Sequence, residues 1–271
     1  MKVIKYKKIK NKYRVYFDND ISLDLFEDII LKHELLLKKD IDDKKLKQIE
    51  LDNLKEEIYD KALSYINIKM RSRKEISQYL KKKDYSNNDI NETIKRLEKN
   101  NLINDNIYAK AYVSDKFNLS SEGPLKIKNG LINGGIDENL ASKYVNELKE
   151  EDIIDKLDRL VDKKIKTIKN YSGNVLRLKI TSYFYNLGYY KSTIDKVLDN
   201  KNLNNNDNGI KEYNKLLNKY SKKYSGYELE SFIRNKLYQK GFDLDEIKKN
   251  IDWYSFYCWL LFVALSLAFF I

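Results

Sequence analysis

Nine cations stand at recurring places in this 271-residue chain, and the chemistry open to them is the binding of polyanions. They are Arg71, Arg73 and Lys74; Lys126 and Lys128; Arg177 and Lys179; and Arg234 and Lys236. Each group lies near one apolar residue, respectively Ile76, Ile127, Ile180 and Ile233. Counted from those residues, Arg73 matches Arg177, Lys126 matches Lys179, and Lys128 matches Arg234. Cations at matching positions of successive elements can form a basic stripe that tracks phosphates or an acidic protein surface. The competing reading is a solvated helix face, the commoner meaning of scattered lysines.

Other chemistries find little support. No G-x-x-x-x-G-K-[ST] phosphate loop is present. Gly130, Gly134 and Gly135 fall in a helix-turn region and follow no strand. The one histidine, His33, gives no plausible Ser/His/Asp order. With Cys258 as the one cysteine, a Cys/His zinc site within the chain is ruled out. Acidic pairs such as Glu56-Glu57 and Glu150-Glu151 read as solvent-facing helix charge. No catalytic residue, metal site or cofactor is expected.

The elements that position the cations follow from a spacing of apolar residues, 4-5-5-4, which occurs four times. It comprises Ile76, Leu80, Tyr85, Ile90, Ile94; Ile127, Leu131, Ile136, Ala141, Val145; Ile180, Phe184, Tyr189, Ile194, Leu198; and Ile233, Leu237, Phe242, Ile247, Ile251. Residues four apart share a helix face, so each set spans two helices joined at its middle anchor. Asp84, Gly135, Gly188 or Gly241 precedes that anchor, a place for left-handed backbone. Ser86, Asp137 and Asp243 follow as N-cap candidates, with Ser192 expected to cap in the third set. Ser72 and Glu75 have capping-box spacing at the start of the first middle helix. A further helix precedes each pair, read from Ile58, Ala62, Tyr65 and Ile66; Ile107, Ala111 and Tyr112; Leu157, Leu160, Val161 and Ile165; and Tyr213, Leu216, Leu217 and Tyr220. A fixed period of this kind marks a repeat architecture. The fold class expected is mainly α, an elongated tandem array of three-helix repeats with a small N-terminal β-hairpin head. Tyr79, Tyr108 and Tyr112 can stack on bases, but their helical spacing favours packing.

The head is read as strands Val3–Ile9 and Tyr13–Phe17 with a turn at Asn11-Lys12. A third strand over Ile21–Leu23 and a helix over Leu25–Leu37 follow. Its lysines and tyrosines suit either nucleic-acid contact or a plain cap on the first repeat. The organisation expected is a head over 1–54, repeats over 55–103, 104–150 and 151–202, a linker over 203–209, a fourth repeat over 210–252, and an apolar segment over 253–271. Trp253–Ile271 carries no charge and is long enough, at about 1.5 Å per residue, to approach a bilayer core. It reads as a tail anchor, a buried helix or an anomalous tail. Net charge is +11, which favours polyanionic partners. A single cysteine and no visible signal peptide fit a reducing cytoplasm.

Several motifs resemble those of the RecX regulatory proteins of bacteria. Arg71-Ser72-Arg73-Lys74-Glu75-Ile76 is similar to that family's R-S-x-x-E-[LI] opening. Leu97 through Asp105, with Tyr108-Ala109-Lys110-Ala111-Tyr112-Val113, resembles L-x-x-x-G-L-I-D-D-x-x-[FY]-A-x-x-[YF], with Asn101 in place of glycine and Asn104 in place of the first aspartate. Gly123 with Ile127, Leu131, Gly135 and Ile136 resembles G-x-x-x-I-x-x-x-L-x-x-x-G-I. The match is specific in the first two repeats, weaker in the third, and covers about residues 1–200. The fourth repeat and the apolar segment exceed the usual three-repeat plan.

The resemblance implies an all-helical regulator that binds the filament of the RecA recombinase along its groove. Members usually inhibit that protein's ATPase, strand-exchange and co-protease activities in recombination and the SOS response. They also contact single- or double-stranded DNA, and are neither enzymes nor cofactor-dependent. The expected partner is therefore a RecA-type filament, bound by a cytoplasmic monomer. The alternative function is a membrane-tethered helical adaptor, or a general DNA-binding module without RecA specificity.

Overall fold

The computed structural model describes residues 1–37, 40–204 and 206–251. A three-stranded antiparallel sheet in the order β1 (Val3–Ile9), β2 (Lys12–Phe17), β3 (Ser22–Leu25) opens the chain. Helices follow as α1 (Glu27–Lys32), α2 (Asp43–Ile66), α3 (Arg73–Lys81), α4 (Asn87–Lys99), α5 (Asp105–Leu119) and α6 (Pro124–Asn133). Then come α7 (Glu138–Asn146), α8 (Glu150–Thr167), α9 (Gly173–Asn186), α10 (Lys191–Asp199), α11 (Asn206–Tyr220) and α12 (Gly226–Tyr238). A last helical run occupies 244–251. The described residues divide into two compact units, Met1–Tyr112 with Gly130–Ser142, and Val113–Asn129 with the described residues from Lys143 on.

The 4-5-5-4 spacing has a mechanical meaning. Each "4" is one helix turn carrying two buried anchors. The first "5" is a helix stop: the N–H of Ile136, Tyr189 and Phe242 donates to the carbonyl of Leu131, Phe184 and Leu237 respectively, five residues back, at 3.0–3.1 Å. That bond defines the Schellman ending, which needs a left-handed residue just before its donor. Gly135, Gly188 and Gly241 have φ of +89°, +88° and +81°, and Asp84 has +63°. The second "5" is a hydrophobic staple, in which the residue before the N-cap pairs with the fourth helical residue. Tyr189 and Ile194 share one apolar cluster, and Phe242 and Ile247 another. Every anchor is buried except Tyr85 and Ile251, which are half-buried.

The caps follow the expected pattern with one exception. Ser86 Oγ accepts from the Asp89 N–H, and the side chains of Asp137 and Asp243 accept from N–H groups of their own first turns. Ser72 and Glu75 form a reciprocal capping box. In the third repeat α10 starts at Lys191 with Tyr190 as its cap residue and no side-chain bond. Ser192 therefore lies inside the first turn and does not cap.

Several boundaries differ from expectation. The hairpin turn is Lys10-Asn11, because Ile9 pairs with Lys12 and Lys10 takes φ +52°. Helix α1 stops at Lys32, where Glu34 turns left-handed and Leu35 donates back to Ile30. Helix α2 runs unbroken past residue 54. Its Ile49 belongs to the head core, whereas Ile58, Tyr59 and Ala62 belong to the first repeat's core. The buried residues of α5 are Ala109 and Val113; Ile107 is exposed. The stretch expected as a linker is taken over from Asn206 by the first turn of α11. Among the described residues no helix is long and apolar enough to cross a membrane. Trp253–Ile271 lies outside the described residues.

Successive repeats meet through one recurring joint. The carbonyl just before each turn glycine accepts from the start of the preceding middle helix. Ser72 Oγ donates to Gly134 O at 2.6 Å, Gly123 N–H to Leu187 O at 2.7 Å, and Ser172 N–H to Lys240 O at 2.9 Å. The glycine itself then lies flat against that helix start. A β-carbon on Gly135 would overlap Lys74, one on Gly188 would overlap Lys126, and one on Gly241 would overlap Ser172. Asp84, in the first repeat, is exposed.

Candidate polyanion-binding surface

The nine cations lie where the repeat plan predicts, on the middle helices or at their starts, but most have partners. Arg73 Nη1 bonds Glu98 Oε1 at 2.9 Å. Arg177 bonds Asp199 at 2.7 Å and Asp195 at 3.3 Å. Arg234 grips both oxygens of Asp245 at 2.6 and 2.8 Å. In all three the acid comes from the third helix of the same repeat, so the arginine clasps middle helix to third helix. The bond to Asp199 holds the Arg177 guanidinium above its ordinary range, and the bond to Asp245 does the same for Arg234.

The lysines are engaged differently. Lys74 Nζ donates to Asn133 O at 3.0 Å, and its stem packs on the turn at Gly135. Lys126 approaches Glu122 at 3.7 Å. Lys179 and Lys236 sit over the rings of Tyr171 and Phe232, at 4.1 and 5.5 Å. Lys128 is half-buried and also has a partner. The matching register of Arg73 and Arg177 thus marks a clasp shared by the first and third repeats, which Arg234 makes from a different position in the fourth. Surface ion pairs of this kind are weak and screened by salt, and the Arg73 side chain remains 49% exposed. Such a cation can exchange its carboxylate for a partner's anion at little cost.

Arg71 is different. Its side chain is only 13% exposed, with the guanidinium 4.0 Å above the Tyr65 ring and 3.5 Å from Glu75. Tyr65 stacks in turn on Tyr79 at 4.1 Å and 3°. Cation–π stacking on a desolvated ring is a packing interaction, so Arg71 braces the first repeat. Tyr108 lies against the same cluster, and burial, helped by Glu75, pushes its hydroxyl up to about 12. The Tyr112 hydroxyl packs over Gly130. These tyrosines pack, as their spacing implies.

The motif residues interlock in the same way. Asp105 accepts from the Arg73 N–H at 3.3 Å. Asn104 Oδ1 accepts from the N–H groups of Asn106 and Ile107, doing the capping work of the aspartate it replaces. Asn101 has φ +55°, the conformation for which glycine is the usual choice.

Two features are not apparent from the apolar spacing. Tyr171-Ser172-Gly173 recurs as Tyr224-Ser225-Gly226, with serine φ of −142° and −140° and glycine φ of +50° and +56°. The period of 53 residues is the signal that could have found it. Lys156 has no such signal. Its Nζ donates to Phe117 O at 2.6 Å and Glu122 O at 3.0 Å, tying the end of α5 to the loop before α6. Burial lowers its pKa.

Comparison with known proteins is consistent with this geometry. Residues 59–97 match the family profile described as RecX, first three-helix domain, and residues 104–144 match RecX, second three-helix domain. The regulatory protein RecX of Lactococcus lactis subsp. lactis is 32% identical over 94% of this chain and 98% of its own length. That of Bacillus mycoides is 29% identical over 89% and 92%. At such coverage the Lactococcus match takes in most of the 210–252 repeat. A crystal structure of regulatory protein RecX superposes with a TM-score of 0.64 at 23% identity, over 73% of this chain and 98% of that one, a likeness of fold. The crystal structure of RecX from Lactobacillus salivarius gives 0.50 at 30% identity, over 54% and 94%.

Proposed function

Because the chain belongs to the RecX family of regulatory proteins, we propose that it binds the RecA recombinase filament and lowers that filament's ATPase, strand-exchange and co-protease activities. The observation that carries this reading is the 32% identity to a RecX protein along 98% of that protein's length. A regulator of this kind needs no catalytic centre or cofactor, and works in the cytoplasm as a monomer.

The surface that would meet the filament is the set of middle-helix cations. Arg73, Lys126, Arg177, Lys179, Arg234 and Lys236 carry charge at or near the surface while leaning on weak local partners. Repetition supports the assignment, since a polymer offers the same acidic or phosphate groups at regular intervals. Arg71, by its burial, supports the surface from beneath.

The test is a titration of the full chain into DNA-dependent ATP turnover by RecA. Turnover should fall at fewer than one chain per recombinase protomer. A flat response up to molar excess rejects the inhibitory reading.

A further inference from the structure

We propose that the outward face of the N-terminal sheet, together with the adjoining turn, binds single-stranded nucleic acid, with Lys5, Lys7 and the turn residue Lys10 on phosphates and Tyr16 stacked on a base. Residues 1–17 carry seven cations, Lys2, Lys5, Lys7, Lys8, Lys10, Lys12 and Arg14, and no acidic residue. The head core would be formed equally well by a hairpin with its exposed positions balanced in charge.

The strand register sorts these cations between the two faces. Lys5 pairs with Tyr16 and Lys7 with Arg14, and across the next ladder Tyr16 pairs with Ser22 and Arg14 with Asp24. Residues directly opposite share a face, so Lys5, Lys7, Arg14, Tyr16, Ser22 and Asp24 lie together. The other face carries Val15 and Leu25, both buried in the head core, with Tyr6, Tyr13 and Leu23 packed against it. Lys8 is on that side, over the ring of Tyr13.

Two cations of the outward face, Lys5 and Lys7, are exposed, as is Lys10 in the adjoining turn, and none of the three makes an ion pair among the described residues. This contrasts with Arg73, Arg177 and Arg234, each clasped by an acid of its own repeat. Asp24 is held by Arg14 through both oxygens, at 2.7 and 2.9 Å, so its charge is already matched. Lys12 turns aside to Glu57 and lies over Phe26.

Geometry favours a single strand. Lys5 and Lys7 are two residues apart on one face, about 7 Å along the strand, a spacing that can follow an extended backbone. Tyr16 is half-exposed on the central strand beside them. An aromatic on a sheet, flanked by cations, stacks on an unpaired base and cannot reach one inside a duplex. The ligand class is therefore single-stranded DNA or RNA, bound at a place separate from the helical cations proposed for the filament.

The test is fluorescence anisotropy of a labelled oligothymidylate with the full chain and no recombinase present, so failure here leaves the filament reading untouched. Lys5→Glu with Lys7→Glu should weaken binding at least tenfold. It should also flatten the logarithmic salt dependence by about 1.4, at about 0.7 for each phosphate no longer neutralised. Tyr16→Leu should weaken binding about fivefold or more with the salt slope unchanged, as removal of one stacked base implies. Unaltered affinity in the double lysine variant, with its circular dichroism intact, overturns the proposal. So does an absence of binding by the unaltered chain at low salt. An equal effect of Tyr16→Leu on blunt duplex overturns the assignment to single strands.

Discussion

The N–H of Ser172 donates to the carbonyl of Lys240 at 2.9 Å, and a β-carbon on the next residue, Gly241, would overlap the Ser172 carbonyl. Comparable joints link the Gly123 N–H to the Leu187 carbonyl and the Ser72 side-chain hydroxyl to the Gly134 carbonyl, with Gly188 and Gly135 packed on Lys126 and Lys74. Turn glycines in these repeats serve two needs together: a left-handed helix stop and a close approach between neighbouring helices.

That double role separates two glycines with similar dihedral requirements. Gly188 has φ +88° and lies against the backbone of Lys126, whereas Gly226 has φ +56° and no atom within 4 Å of where its β-carbon would stand. Gly188→Ala should cost about 3 kcal/mol, about 1 from left-handed backbone and the remainder from overpacking. Gly226→Ala should cost about 1 kcal/mol. Urea unfolding of both variants checks this, and equal destabilisation would contradict the joint.

Asp84 tests the converse. It is exposed, and its φ of +63° carries a modest penalty that glycine lacks. Asp84→Gly should therefore leave stability unchanged or raise it by up to about 1 kcal/mol. Gly135→Asp should lower it by about 3 kcal/mol, because its side chain would have to displace Lys74. Thermal melts of the two variants should move in different directions or by clearly different amounts.

These joints also show where sequence is legible. The 4-5-5-4 pattern reports bonds within one or two turns, since the Schellman ending and the staple are each five residues long. Turn glycines and three of four caps are readable for that reason. The joint between repeats is not, because Ser172 meets Lys240 only after an intervening three-helix unit has folded. The partners of the cations are hidden similarly. In a chain so rich in charge, nothing local says that Arg73 reaches Glu98 or that Arg71 lies under Tyr65. The shared register of Arg73 and Arg177 therefore has a first meaning that the sequence does not display, a clasp between middle and third helix.

The head carries its own pH signature. Asp52 is buried, which by itself would raise its carboxyl. Hydrogen bonds from Lys32 at 2.7 Å, His33 at 2.9 Å and Gln48 at 3.1 Å outweigh burial and hold it below the usual carboxylate range. A depressed carboxyl contributes stability above its unfolded pKa of about 3.9, and that contribution is lost as pH falls through the folded value. Asp52→Asn should cost on the order of 2 kcal/mol at pH 7. The gap to the unaltered chain should close as pH falls below about 4. Unfolding measured across the range from neutral pH to well below the carboxylate pKa gives the comparison, and a pH-independent gap would exclude Asp52 as the source.

The claim that the chain acts on a recombinase filament is met most directly by co-sedimentation. RecA filaments assembled on single-stranded DNA with a non-hydrolysable nucleotide stay intact, so pelleting reports binding alone. The chain should pellet saturably, and Arg73→Glu, Lys126→Glu, Arg177→Glu and Lys179→Glu combined should weaken it at least tenfold, about 1.4 kcal/mol or more. A chain that stays in the supernatant beside intact filaments at every concentration would contradict the account.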